Sequence, residues 1–72
     1  MQSLINARLK AKLTQAELAA LLGVAEATVC RYERGTRHPQ IKIARALNKM
    51  FKIPMAVLMP DIFGKNHGEH AG

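Results

Sequence analysis

Two glycines, Gly23 and Gly35, constrain this chain more than any other feature. Each follows a short run of apolar residues at helical spacing, and a glycine there permits the left-handed conformation that closes a helix. Upstream, Thr14-Gln15-Ala16-Glu17 has the form of a capping box: the Thr14 hydroxyl caps the backbone while Glu17 reaches back. The spacing therefore predicts a helix that opens at Thr14, carries Leu18, Ala19, Leu21 and Leu22, and stops at Gly23. Val24 and Ala25 lead into a further helix over Glu26–Arg34, stopped by Gly35. Two helices crossing at so short a turn need a small residue at the crossing, which Ala19 supplies. Val24 and Val29 then anchor the later helix on the core and leave its opposite side free.

The remaining elements are read from the same punctuation. A first helix is expected from about Ser3 to Lys12, with Ser3 as N-cap and Leu4 or Ile5, then Leu9, on one side. Pro39 suits the first turn of a fourth helix over Gln40 to about Phe51, with Ile41, Ala44, Leu47 and Phe51 at helical spacing. Pro54 can start a short fifth helix through about Met59, which Pro60 breaks. Almost nothing favours strands, so the expected class is all-α. Residues 1–63 are expected to form one domain, and residues 64–72, which lack apolar content, a disordered tail.

Size and charge narrow the function. A chain of 72 residues buries only about 60% of its unfolded surface, which leaves little room for an active-site cleft beside a core. The formal charge is +6 and the pI near 10.1, the balance of a protein with a polyanionic partner. Between Arg31 and Lys52 stand seven cations (Arg31, Arg34, Arg37, Lys42, Arg45, Lys49, Lys52) and one anion, Glu33. That segment carries the whole net charge. The single cysteine, Cys30, excludes an intrachain disulfide and points to a reducing cytoplasmic setting. Neither a signal peptide nor an apolar stretch of membrane-spanning length is expected.

The Glu26–Arg34 helix is two-sided. At about 100° per residue, Val29, Tyr32 and Glu33 share one side, and Ala27, Cys30, Arg31 and Arg34 lie opposite. The outer side bears only small or cationic groups. Such a profile suits a DNA major groove, where an arginine pairs bidentately with guanine.

From Leu13 to Pro39 the sequence reads Leu-Thr-Gln-Ala-Glu-Leu-Ala-Ala-Leu-Leu-Gly-Val-Ala-Glu-Ala-Thr-Val-Cys-Arg-Tyr-Glu-Arg-Gly-Thr-Arg-His-Pro. This stretch resembles the Cro and phage-repressor type of helix-turn-helix, also called the xenobiotic-response-element type. The Leu-Thr-Gln opening, the Leu-Gly-Val turn, the Tyr-Glu-Arg-Gly close and the following proline carry the likeness, which extends from about Arg8 to Leu58. The resemblance implies a five-helix, lambda-repressor-like DNA-binding domain whose recognition helix is Glu26–Arg34. It implies double-stranded DNA as the partner and transcription regulation, as by a Cro-like repressor, as the role.

Residue roles follow from that match. Glu26, Ala27 and Arg31 stand at base-reading positions, and Cys30 is a small groove-facing neighbour. Thr28 and Arg34 stand where base edges or backbone are touched. Gln15 matches a phosphate contact, and Thr36, Arg37, His38 and Lys42 are expected against phosphates. Arg8 and Glu33 occupy the positions of a structural salt bridge, which explains one acid in a basic surface. Two departures stand out. Ala25 replaces the usual Ser or Thr cap of the recognition helix, at a cost of about 1 kcal/mol. Glu26 and Ala27 replace the glutamines common in phage repressors, so the operator sequence is not carried over.

Met55, Val57, Met59, Ile62 and Phe63 are more apolar than a finishing helix needs. They are the candidate interface of a homodimer that would hold two recognition helices about 34 Å apart. Ile53 and Leu58 are expected to close the core. No cofactor, metal, membrane or small-molecule ligand is expected: His67 and His70 lie among glycines, and no catalytic triad, carboxylate pair or phosphate-cradling loop occurs. The alternative reading is an antitoxin or protein-interaction module on the same scaffold.

Overall fold

The computed structural model describes residues 1–60. The described chain is all-helical: α1 (Gln2–Lys10), α2 (Gln15–Leu22), α3 (Glu26–Arg34), α4 (Ile41–Phe51) and α5 (Met55–Leu58), with no strand among the described residues. It forms two compact units, one over Met1–His38 and one beginning at Pro39. Ile62, Phe63 and the expected tail over residues 64–72 lie outside the described residues.

In the first unit, α3 packs against both α2 and α1. Leu4, Leu18, Ala19, Leu22, Val29 and Tyr32 are its buried apolar residues. The capping box at α2 is complete: Thr14 Oγ1 accepts from the Glu17 amide at 3.0 Å, and Glu17 Oε1 accepts from the Thr14 amide at 2.8 Å. Two of the N–H groups left without a helical partner at that start are thus satisfied, one by each side chain.

The helix ends share one device. Gly23 (φ +74°) and Gly35 (φ +80°) are left-handed. The amide after each reaches back to the helix: Val24 to the Ala19 carbonyl at 3.0 Å and Thr36 to the Arg31 carbonyl at 3.1 Å. These are Schellman endings. α1 closes the same way without a glycine. Lys12 is left-handed (φ +60°), and the Leu13 amide donates to the Arg8 carbonyl at 3.1 Å.

The second unit contains α4 and α5 in mutual contact. Ala44 and Leu47 on α4, Leu58 on α5, and Pro39 and Ile53 beside them are buried. α4 ends on another left-handed lysine, Lys52 (φ +62°), whose amide bonds the Asn48 carbonyl at 2.8 Å. The Asn48 side-chain amide donates to the Ile53 carbonyl at 2.7 Å. The link after the helix is thereby tied down.

Several local expectations are corrected. α1 starts at Gln2 behind Met1, so Ser3 is inside the helix and caps nothing, and the helix stops at Lys10 because Lys12 turns left-handed. Gln40 is the N-cap of α4, which puts Pro39 before the helix and not in its first turn. Leu9 and Leu21 are about 60% exposed and Ile41 is 42% exposed; helical spacing alone groups them with buried neighbours.

Candidate nucleic-acid interface

The site begins with what holds α3. Val29, Tyr32 and Glu33 are buried on its inner side. Glu33 is the buried charged residue among those described, and its partners account for its presence there. Arg8 Nε donates to Glu33 Oε2 at 2.5 Å, Arg8 Nη2 to Oε1 at 3.3 Å, and Gln15 Nε2 to Oε1 at 2.9 Å. The same guanidinium also donates to the Leu13 carbonyl at 2.8 Å, and the Met1 ammonium donates to the Glu33 main-chain carbonyl. One carboxylate therefore joins α1, the start of α2 and the last turn of α3.

Burial alone pushes the Glu33 carboxyl up. The Arg8 and Gln15 hydrogen bonds, with the Arg8 and N-terminal charges, outweigh burial and hold it below its ordinary range. Its hydrogen bond raises the Arg8 guanidinium further, against the opposing effect of desolvation. Each partner thus stabilises the charged form of the other. No buried side-chain nitrogen or oxygen among the described residues lacks a partner.

The outer side of α3 is open. Glu26, Ala27, Arg31 and Arg34 are exposed, and Thr28 and Cys30 are half-buried beside them. Among the described residues Arg8–Glu33 is the ion pair found, so Arg31 and Arg34 face outward without a carboxylate. Their placement in the last turn, and that of Glu26 in the first, agrees with the helix dipole. Ala25 has the extended backbone of an N-cap (φ −75°, ψ 152°) but supplies no side-chain bond.

The loop after α3 keeps Thr36, Arg37 and His38 exposed. Thr36 Oγ1 donates to the Arg31 carbonyl at 3.3 Å, so this hydroxyl serves the helix end. Gln15 is half-buried at the head of α2, with its amide nitrogen turned to Glu33. In the second unit, Lys42 is exposed in the first turn of α4, Val57 is exposed, and Met55 and Met59 are half-buried. The roles that the sequence did not reveal are the left-handed backbones of Lys12 and Lys52 and the Asn48 side-chain bond. The two lysines carry no glycine or asparagine signal for the conformation they adopt. No group of three or more His, Cys, Asp or Glu side chains suited to a metal occurs among the described residues.

A short crossing between α2 and α3, a turn closed by a left-handed glycine and an exposed outer side on the second helix define a helix-turn-helix. The family profile of helix-turn-helix proteins matches residues 4–58. The chain belongs to the helix-turn-helix family, of the Cro and phage-repressor type. This is a family of DNA-binding transcription regulators and not of enzymes. The cryptic phage CTXphi transcriptional repressor RstR of Vibrio cholerae is 35% identical to this helix-turn-helix protein over 54 residues, which make up 75% of the present chain and 49% of the repressor. The chain thus spans about half the length of that curated relative. No solved structure matches it. Among the described residues, no helix of this family member is long and apolar enough to cross a membrane.

Proposed function

We propose that this helix-turn-helix protein is a sequence-specific regulator of transcription that binds double-stranded DNA by seating α3 in the major groove, in the manner of a Cro-like repressor. The observation that carries the reading is the outer side of α3, where Ala27, Arg31 and Arg34 stand exposed, with Glu26 exposed in the first turn, while Val29, Tyr32 and Glu33 fix the helix from behind. Arg31 reads guanine. Ala27 packs on a thymine methyl, and Glu26 selects a cytosine amine or excludes other bases by repulsion. Thr28 and Arg34 touch base edges or backbone, with Cys30 a small neighbour. Gln15, Thr36, Arg37, His38 and Lys42 lie against phosphates and set the register.

The protein acts as a homodimer joined through Met55, Val57 and Met59, with Ile62 and Phe63 of the following segment, on a two-fold symmetric operator in the cytoplasm. Val57 is 39% exposed, an apolar cost that a second copy removes. One small module makes few base contacts, and two on one face of the duplex give the specificity that an operator needs. Fluorescence anisotropy with a selected duplex and with Arg31→Ala tests the readout. The variant should lose about 1–3 kcal/mol on that duplex and accept base changes at one position of each half-site; an unaltered preference would refute it.

A further inference from the structure

The second unit carries a cationic ridge of which the recognition-helix reading uses only Lys42. Lys42, Arg45 and Lys49 on α4 are all exposed. At about 100° per residue they fall within roughly 60° of one another, on the side opposite Ala44, Leu47 and Phe51. Their axial span is roughly 10 Å. Residues 39–60 hold four cations and no Asp or Glu.

An ordinary solvated helix face alternates signs at i and i+4, because such pairs stabilise it. α4 does the reverse. Arg45 and Lys49 are a like-charged i, i+4 pair, and Lys42 stands in the first turn, where the helix dipole disfavours a cation. Lys49 in the last turn suits the dipole, but Lys42 in the first turn and the Arg45–Lys49 spacing both run against the preference of the helix. The exposed apolar residues of α4, Ile41 and Met50, fall on either side of the ridge and not within it. A lysine-rich strip without an apolar or aromatic anchor is unlike the centre of a protein interface. It matches a duplex, which presents one negative charge per about 1.7 Å of axis.

We infer that Lys42, Arg45 and Lys49 form a sequence-independent binding surface for the phosphate backbone of duplex DNA. This rests on the DNA-binding reading above. The ridge contributes affinity and salt dependence but no base preference.

The test is the affinity of the full chain for a non-specific duplex at 50 and 200 mM salt, for the wild type, Arg45→Gln/Lys49→Gln and the charge-keeping Arg45→Lys. Every phosphate that is no longer neutralised lowers the slope of log affinity against log salt by about 0.9. The double variant should therefore lose about tenfold less affinity than the wild type over that fourfold rise in salt, while Arg45→Lys keeps the wild-type slope. Circular dichroism of both variants checks that they are folded. A wild-type slope in the folded double variant would overturn the ridge and leave the α3 reading intact. If that variant instead loses binding to polyglutamate alone, the ridge belongs to an acidic protein partner and the DNA assignment fails. Absence of any duplex binding by the wild type would refute the DNA-binding reading itself.

Discussion

Gln15 and Glu33 are joined by a 2.9 Å hydrogen bond from the amide Nε2 to the carboxylate Oε1. Because Arg8 holds the other oxygen of the same carboxylate at 2.5 Å, the head of α2 and the last turn of α3 are fixed through one buried group. The angle between the two helices of the motif depends on this junction as well as on the apolar contacts beneath it. The proposed seating of α3 in the major groove would need such rigidity, since side chains that read bases must meet their edges at set distances.

Removing one member of the junction should cost more than removing the pair. Glu33→Ala leaves the Arg8 charge and the Gln15 amide without their carboxylate, and a loss of about 3 kcal/mol is expected. Arg8→Met/Glu33→Leu replaces both charges with apolar groups and should recover at least half of that loss. Urea denaturation of the wild type, the single variant and the double variant checks this. Equal losses in the single and double variants would show that the polar geometry, and not the unpaired charge, sets the stability.

The same carboxylate makes stability depend on acid. Glu33 titrates below its ordinary value near 4.5 in the folded chain, so at a given acidic pH the unfolded chain binds more protons there. Stability therefore rises with pH across that interval. The Glu33 contribution is complete above the ordinary value and is lost as pH falls through the lowered folded value. Denaturation midpoints measured from neutral pH into the acid range should fall more steeply for the wild type than for Glu33→Gln. Parallel curves would assign the acid sensitivity to other groups.

Ala25 is an N-cap in geometry without the chemistry. Its backbone is already extended (φ −75°, ψ 152°), and its side chain accepts nothing. Ala25→Ser should place a hydroxyl where it accepts from an amide of the first turn of α3, which raises stability by about 1 kcal/mol. A higher thermal midpoint is the expected readout, and an unchanged one would mean that solvent already satisfies those amides.

Lys12 is the opposite case, a side chain where glycine is preferred. At φ +60° its Cβ meets the strain that left-handed backbone imposes on L residues, about 1–2 kcal/mol, only partly offset by the greater freedom that glycine loses on folding. Thermal denaturation should show Lys12→Gly to be more stable than the wild type by up to about 1 kcal/mol. Gly23→Ala should do the reverse. No atom beyond its own chain neighbours lies within 4 Å of a Cβ placed at Gly23, so the expected loss of about 1 kcal/mol comes from the left-handed backbone and not from packing against the rest of the fold.

What the sequence made legible follows from where its signals are strong. The limits of α2 and α3 could be read because a capping box and two glycines mark them chemically. The two sides of α3 could be read because buried and exposed residue types separate cleanly around it. α2 is different: Leu18, Ala19, Ala20, Leu21 and Leu22 run together, so periodicity did not tell that Leu21 faces out while Leu18 and Leu22 are buried. The end of α1 was obscured because Lys12 holds its left-handed position, whereas α4 ends at Phe51 as its spacing suggests, ahead of the left-handed Lys52. The bond between Gln15 and Glu33 was invisible as well, because it links two separate elements and no spacing rule within one helix predicts it.

Sequence-specific binding by α3 is decided by selection of bound duplexes from a random DNA pool with the full chain, followed by the affinity of the selected site at low and physiological salt. The expected result is enrichment of a two-fold symmetric sequence whose half-sites are about one helical turn apart, bound more tightly than random duplex at both salt concentrations. Recovery of no preferred sequence, with binding that vanishes as salt rises, would contradict specific readout and leave only charge-driven contact with the backbone.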